Sequence, residues 1–132
     1  MAIEIGKAIY SILSNDEAIT AKVNDKIFPL VANPDTTFPF IIYKRTDIQP
    51  HYTKDLYTGM DDVTINIVVA ANNYNDSIII ANLVRNALDN KRGVYSDIYI
   101  NTIRMDVADE DYIENTFIQN LQFKINTKWQ TK

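Results

Sequence analysis

The chain has 132 residues, no cysteine and a formal net charge of -4, with a pI near 4.8. At this length folding buries roughly 65 to 70% of the unfolded surface, enough for one core without staples, so a single domain is expected. The lack of cysteine excludes disulfides, thiol catalysis and thiolate metal sites, and the acidic balance argues against a protein whose main task is to grip nucleic-acid phosphates.

The N-terminus, MAIEIGKAIYSIL, carries Glu4 early and is broken by Gly6 and Lys7, unlike a secretory signal. No stretch reaches the roughly 20 apolar residues that span a bilayer. A soluble intracellular protein with no membrane contact is expected. From Ile3 the apolar positions Ile5, Ala8, Ile9, Ile12 and Leu13 recur at helical spacing and predict a first helix. In SNDEAITAKV, Ser14, Asn15 or Asp16 serves as cap to a short second helix over about Asp16 to Val23, ended by Asn24-Asp25.

IFPLVANPDTTFPFIIYKR, Ile27 to Arg45, holds three prolines. Proline deletes a backbone donor but is tolerated at a strand's first residue. Pro29 and Pro34 are therefore expected to hold an extended connection outside the sheet, and Pro39 to begin a strand to Thr46. Alternation places Phe40, Ile42 and Lys44 on one face of that strand and Ile41, Tyr43 and Arg45 on the other. Asp47 to Asp61, DIQPHYTKDLYTGMD, has Pro50 and Gly59 as breakers and few aliphatics, which predicts a long loop or a loosely formed, protruding hairpin.

DVTINIVVAA then alternates clearly, with Val63, Ile65, Ile67 and Val69 facing one way and Thr64 and Asn66 the other, as in a half-buried strand. NNYNDS supplies caps for a helix whose face carries Ile80, Leu83, Val84, Ala87 and Leu88 through about Asn90, with Lys91, Arg92 and Gly93 as its end. Two further strands are predicted, Asp97 to Val107 and Thr116 to about Thr127. In the latter Phe117, Leu121, Phe123 and Ile125 share a face interrupted by Gln119. The acidic run DVADEDYIEN lies between them as a solvated connection. The order predicts an α+β fold: a largely antiparallel sheet, helices packed on one face, and a long protruding loop or hairpin.

Little in the chain points to chemistry. His51 is the only histidine, so no histidine pair can form; as a base it would need Asp47, Asp55 or Asp61, and no nucleophile motif lies near. An exposed histidine is the plainer reading. Asp106, Asp109, Glu110, Asp111 and Glu114 could face a hard cation, yet the run lacks the spacing and turn glycine of a calcium loop. With three glycines there is no phosphate-binding loop. No catalytic residue, metal site or cofactor is expected. The small basic pairs Lys44-Arg45 and Lys91-Arg92 read as solvated surface, whereas Tyr43, Tyr52 and Tyr57 are either local packing or interface anchors.

One resemblance rests on the conjunction of several pieces: Ile27-Phe28-Pro29, then Pro39 to Arg45, then the V-x-I-x-V strand, then ANLVRNAL over Ala81 to Leu88. Their succession resembles the tail completion, or tail terminator, proteins of long-tailed bacteriophages and prophages. The resemblance implies a non-enzymatic virion protein, made in the host bacterial cytoplasm and located in the virion tail. It implies a homo-oligomeric ring, typically a hexamer, that caps the head-proximal end of the tail tube. The tail-tube protein and a neck protein are its partners, and DNA passes through the lumen without specific binding. Tyr52, Leu56, Tyr57 and Met60 are the candidate subunit-interface anchors, and acidic residues facing the lumen would limit sticking of DNA. The competing readings are another head-tail connector or neck protein, or a small ligand-binding or hydrolytic domain built on His51 and nearby carboxylates.

Overall fold

The computed structural model describes residues 2–53 and 56–128. After a 3-10 turn at Ala2–Glu4, α1 spans Ile5–Ser14 and α2 spans Glu17–Val23. Of the three caps considered, Asp16 is the one used: its Oδ1 accepts from the Ile19 N–H at 3.0 Å. Asn24, in the left-handed half of conformational space at φ 59°, ends α2.

The sheet has six strands in the order β1-β2-β3-β6-β5-β4: β1 Ile27–Pro29, β2 Phe40–Tyr52, β3 Tyr57–Ala71, β4 Gly93–Tyr95, β5 Ile98–Ile113 and β6 Thr116–Lys128. Among the described residues only the β1–β2 pair is parallel. α3, Tyr74–Leu88, connects β3 to β4 and is capped by Asn73, whose Oδ1 accepts from the Asp76 N–H at 2.8 Å. Among the described residues no helix is long and apolar enough to cross a membrane.

The core lies between one sheet face and the three helices. Val63, Ile65, Ile67 and Val69 of β3 are fully buried, flanked by Ile41 of β2 and by Leu121, Phe123 and Ile125 of β6. α1 contributes Ile5, Ala8, Ile9, Ile12 and Leu13; α3 contributes Ile80, Val84, Ala87 and Leu88, with Leu83 half-buried against them. The expected α+β architecture is therefore the observed one.

Several boundaries differ from the sequence reading. Of the two forms expected for Asp47 to Asp61, the hairpin is the one formed, and it is regular rather than loose: β2 runs on to Tyr52, and β3 begins at Tyr57. A bulge at Thr46 hides the strand, since the register slips one residue between Arg45 and Asp47, and Ile48, not Asp47, next faces the core side opposite Val63. The alternation counted from Phe40 therefore breaks there although the strand does not. β5 does the same: Ile98 and Ile100 face the core, a slip at Asn101 follows, and Ile103 and Met105 resume the core face.

The segment around Pro29 is also not outside the sheet. Ile27–Pro29 pairs in parallel with Ile41–Tyr43, a place where the missing donor of the terminal proline costs little. Pro39, joined to Phe38 by a cis peptide bond, directly precedes β2. The acidic run is not a connection: Asp106–Ile113 continues β5, paired with β6 up to Ile113–Thr116. At the end of α3 the left-handed residue is Asn90, φ 64°, whereas Gly93, φ 119°, opens β4.

Among the described residues Phe123 is the largest fully buried side chain, set between Ile65 and Met105 on the neighbouring strands. Phe123→Ala is expected to cost about 3–5 kcal/mol of unfolding free energy, read as a lowered urea midpoint at unchanged slope.

Candidate functional site

Two hairpins extend from opposite ends of the sheet. β2 and β3 meet at a tip closed by the Thr53 N–H, which donates to the Leu56 carbonyl at 2.7 Å; β5 and β6 meet at Glu114-Asn115. Beyond the Met60–Lys128 pair, the β2–β3 hairpin is a two-stranded ribbon among the described residues.

The structure brings the predicted anchors together at that ribbon. Tyr52 and Leu56 are 68% and 72% exposed, Met60 is half-buried, and the Tyr57 backbone pairs with Tyr52. The Tyr57 side chain lies outside the described residues. Tyr52 and Leu56 thus lie outside the buried core. Tyr43, by contrast, packs against the core at the foot of β2, its ring 6.4 Å from that of Tyr10.

His51 is at the base of the tip, on the face without helices. Its Nε2 meets Asp62 Oδ2 at 2.5 Å, while Asp62 Oδ1 accepts from Asn126 Nδ2 at 2.9 Å and Asn126 Oδ1 accepts from Asn101 Nδ2 at 3.1 Å. The carboxylate partner is thus Asp62, which the sequence reading did not single out; Asp55 lies outside the described residues. Burial pushes the Asp62 pKa up, but donation from Asn126 and His51 and the charges of His51 and Lys124 outweigh it and hold the carboxyl below its ordinary value. This chain of polar contacts ties β2, β3, β6 and β5 together across the helix-free face.

The acidic run sits at the far end of the sheet, on the other hairpin. Its carboxylates take neutral donors: Asp106 from Gln122 at 3.1 Å, Asp109 from Asn120 at 2.8 Å, and Glu110 from Gln119 at 3.0 Å and Tyr74 at 2.9 Å. The bond to Glu110, with burial and the carboxylate's charge, raises the Tyr74 pKa. Tyr74, Phe117 and Tyr112 form a ring cluster beside it, with centroids 6.0 and 4.7 Å apart. Among the described residues no three His, Asp or Glu side chains are gathered as metal ligands. His51 and the acidic run are at opposite ends of the sheet, so the acidic run supplies no carboxylate to His51. The connection of β5 to β6 around the acidic run was expected from the sequence; its length was not, because Asp106–Ile113 is rich in acidic, solvent-exposed residues and carries no buried period.

Fold and surface together define a small α+β protein whose distinctive groups are displayed on projecting hairpins. The family model described as Tail completion protein gp17 matches residues 7–126, and the chain belongs to that family. It is accordingly a component of the virion tail with a role in virion assembly. Among solved structures, a chain of the "Virion of native gene transfer agent (GTA) particle" shares the fold, with a TM-score of 0.75 and 18% identity over 92% of this chain and 92% of that one. No curated protein sequence matches.

Because the folded Asp62 pKa is lowered, its contribution to stability is present above the unfolded carboxylate value and is lost as pH falls through the folded value. Asp62→Asn is therefore expected to lower the melting temperature at neutral pH, with the difference from the parent closing as pH drops below about 4. Thermal melts at a series of pH values check this.

Proposed function

We propose that the protein is a tail terminator, which assembles as a ring, typically a hexamer, on the head-proximal end of the tail tube, stops tube growth and presents a surface for head joining. The observation that carries this reading is the ribbon beyond Met60, which holds Tyr52 and Leu56 out of the core. A closed ring requires heterologous contacts, one surface of a subunit against a different surface of its neighbour. A ribbon reaching outward with aromatic and aliphatic anchors fits one half of such a contact, with Tyr52, Leu56, Tyr57 and Met60 as the groups it delivers.

The tail-tube protein and a neck protein are the partners on the two sides of the ring, and DNA passes through its lumen. The net charge of -4 supports passage without specific binding, since phosphates gain nothing from a weakly repelling wall. The protein acts without catalysis in this reading: His51 is engaged with Asp62 on a hairpin, and the Thr58 hydroxyl beside it donates to the His51 carbonyl, not to its ring.

The test is electron microscopy of concentrated protein, alone and with purified tail tubes. Rings are expected at tube ends and not at the portal. Replacing both Tyr52 and Leu56 by Ser is expected to weaken ring formation at least about tenfold while changing monomer stability by only about 0.5 kcal/mol each. Undiminished rings from that variant would remove the hairpin from the interface, and binding to the portal alone would assign the protein to the neck.

A further inference from the structure

β2 and β5, each the second strand from its side of the sheet, are covered by the short outer strands over only part of their length. β1 ladders with Ile41–Tyr43, and the Leu30 N–H reaches the Tyr43 carbonyl at 2.9 Å; from Lys44 to Tyr52 no strand lies along that edge of β2 among the described residues. β4 ladders with Ile98–Ile100. The connection after α3 covers the next stretch, the Asn90 N–H donating to the Ile103 carbonyl at 2.8 Å and Asp89 Oδ1 accepting from the Met105 N–H at 3.0 Å. From Asp106 to Ile113 no strand lies along β5 among the described residues.

Three antiparallel steps separate β2 from β5, so the two run in opposite directions. The open half of β2 is at the end of the sheet near Leu56, and the open half of β5 is at the end near Glu114. They are diagonal to each other.

An open strand edge is a template for another chain, and charges, proline and bulges on it restrict which chain can pair. The β2 edge carries Lys44 and Arg45, with Asp47 and Pro50; the β5 edge carries Asp106, Asp109, Glu110 and Asp111, with Glu114 at its turn. Among the described residues none of these five carboxylates is ion-paired with a lysine or arginine. Two β5 edges would repel each other, whereas β5 against β2 brings unneutralised acids towards cations.

The backbone is set for it. Glu114 and Asn115, at φ 50° and 63°, form a two-residue turn of the primed type, which makes Ile113–Thr116 a hydrogen-bonded pair. Tyr112, Glu110 and Ala108 then turn their N–H groups away from β6. In keeping with this, the Tyr112 N–H is taken by its neighbour's Asp111 Oδ1 at 2.8 Å.

We infer that the open edge of β5 pairs antiparallel with the open edge of β2 in a second copy of this chain, so that one sheet runs on from subunit to subunit. This rests on the ring reading and adds to it the second half of the contact. The diagonal placement has a geometric consequence. Each copy must be displaced along the strands relative to its neighbour, and a sheet built with such a stagger closes on itself when its strands tilt to the ring axis. β1 and β4 occupy the remaining edge on each side and act as stops that fix the displacement.

The chain has no cysteine, so introduced thiols report cleanly. Gln49, opposite Asp62, and Asp109, opposite Asn120, are both on the helix-free face. Rings of the Gln49→Cys/Asp109→Cys double variant, treated with a short bis-maleimide, are expected to give a ladder of covalent multimers that neither single variant gives. Ala108→Pro removes one outward N–H from an exposed edge position and is expected to weaken ring assembly by about tenfold or more with the monomer's urea midpoint unchanged. Rings that yield only monomers under cross-linking, or rings that form undiminished from Ala108→Pro, overturn the edge pairing and leave the ring reading standing. Failure of the parent chain to form rings even on tube ends overturns both.

Discussion

The structure depends on one contact, the row Val63, Ile65, Ile67 and Val69 of β3 pressed beneath α3. All four are fully buried, and a slip of one residue would turn the entire row to solvent, so this row sets the register of β3 and, through it, of both neighbours. The row occupies only part of a strand that runs from Tyr57 to Ala71. Beyond Val63 the strand is held mainly by its ladders and by polar contacts, which is why a hairpin can project from a well-packed core without belonging to it.

The same division explains the distribution of chemistry. On the helix face apolar groups interlock; on the other, side-chain amides join strand to strand, Asn126 to Asp62, Asn120 to Asp109 and Gln122 to Asp106. Amide donors that satisfy carboxylates let negative charge sit in extended strands without a cation beside it. Among the described residues these carboxylates have no lysine or arginine ion-paired with them. A protein whose role is in virion assembly gains more from surfaces of this kind than from a converging pocket, and the separation of His51 from the acidic run accords with that role.

Much of the fold was legible. The helical spacing of Ile5 to Leu13, the run of cap residues Ser14 to Asp16, the alternation from Val63 and the face of α3 each gave the element that formed. Tyr52 and Leu56 stood out in the sequence as apolar groups in a polar stretch, and the structure exposes both. What escaped was continuity. Thr46, Asn101 and Asp106 are each an extra residue in a strand, and each reverses the inside-outside count for everything after it. A reader counting by twos loses Ile48 and Ile103, both of which pack on the core.

The sequence by itself determined the central layer, because burial of a side chain leaves a period in the residues that make it. Only the tertiary structure decided that Ile27–Pro29 and Gly93–Tyr95 become edge strands, that β2 and β5 outrun them, and that the open edges fall on opposite corners. Those features are made by backbone N–H and C=O groups pairing between solvated segments. Nearly every residue carries the same backbone donor and acceptor, so such pairing writes no pattern into the sequence.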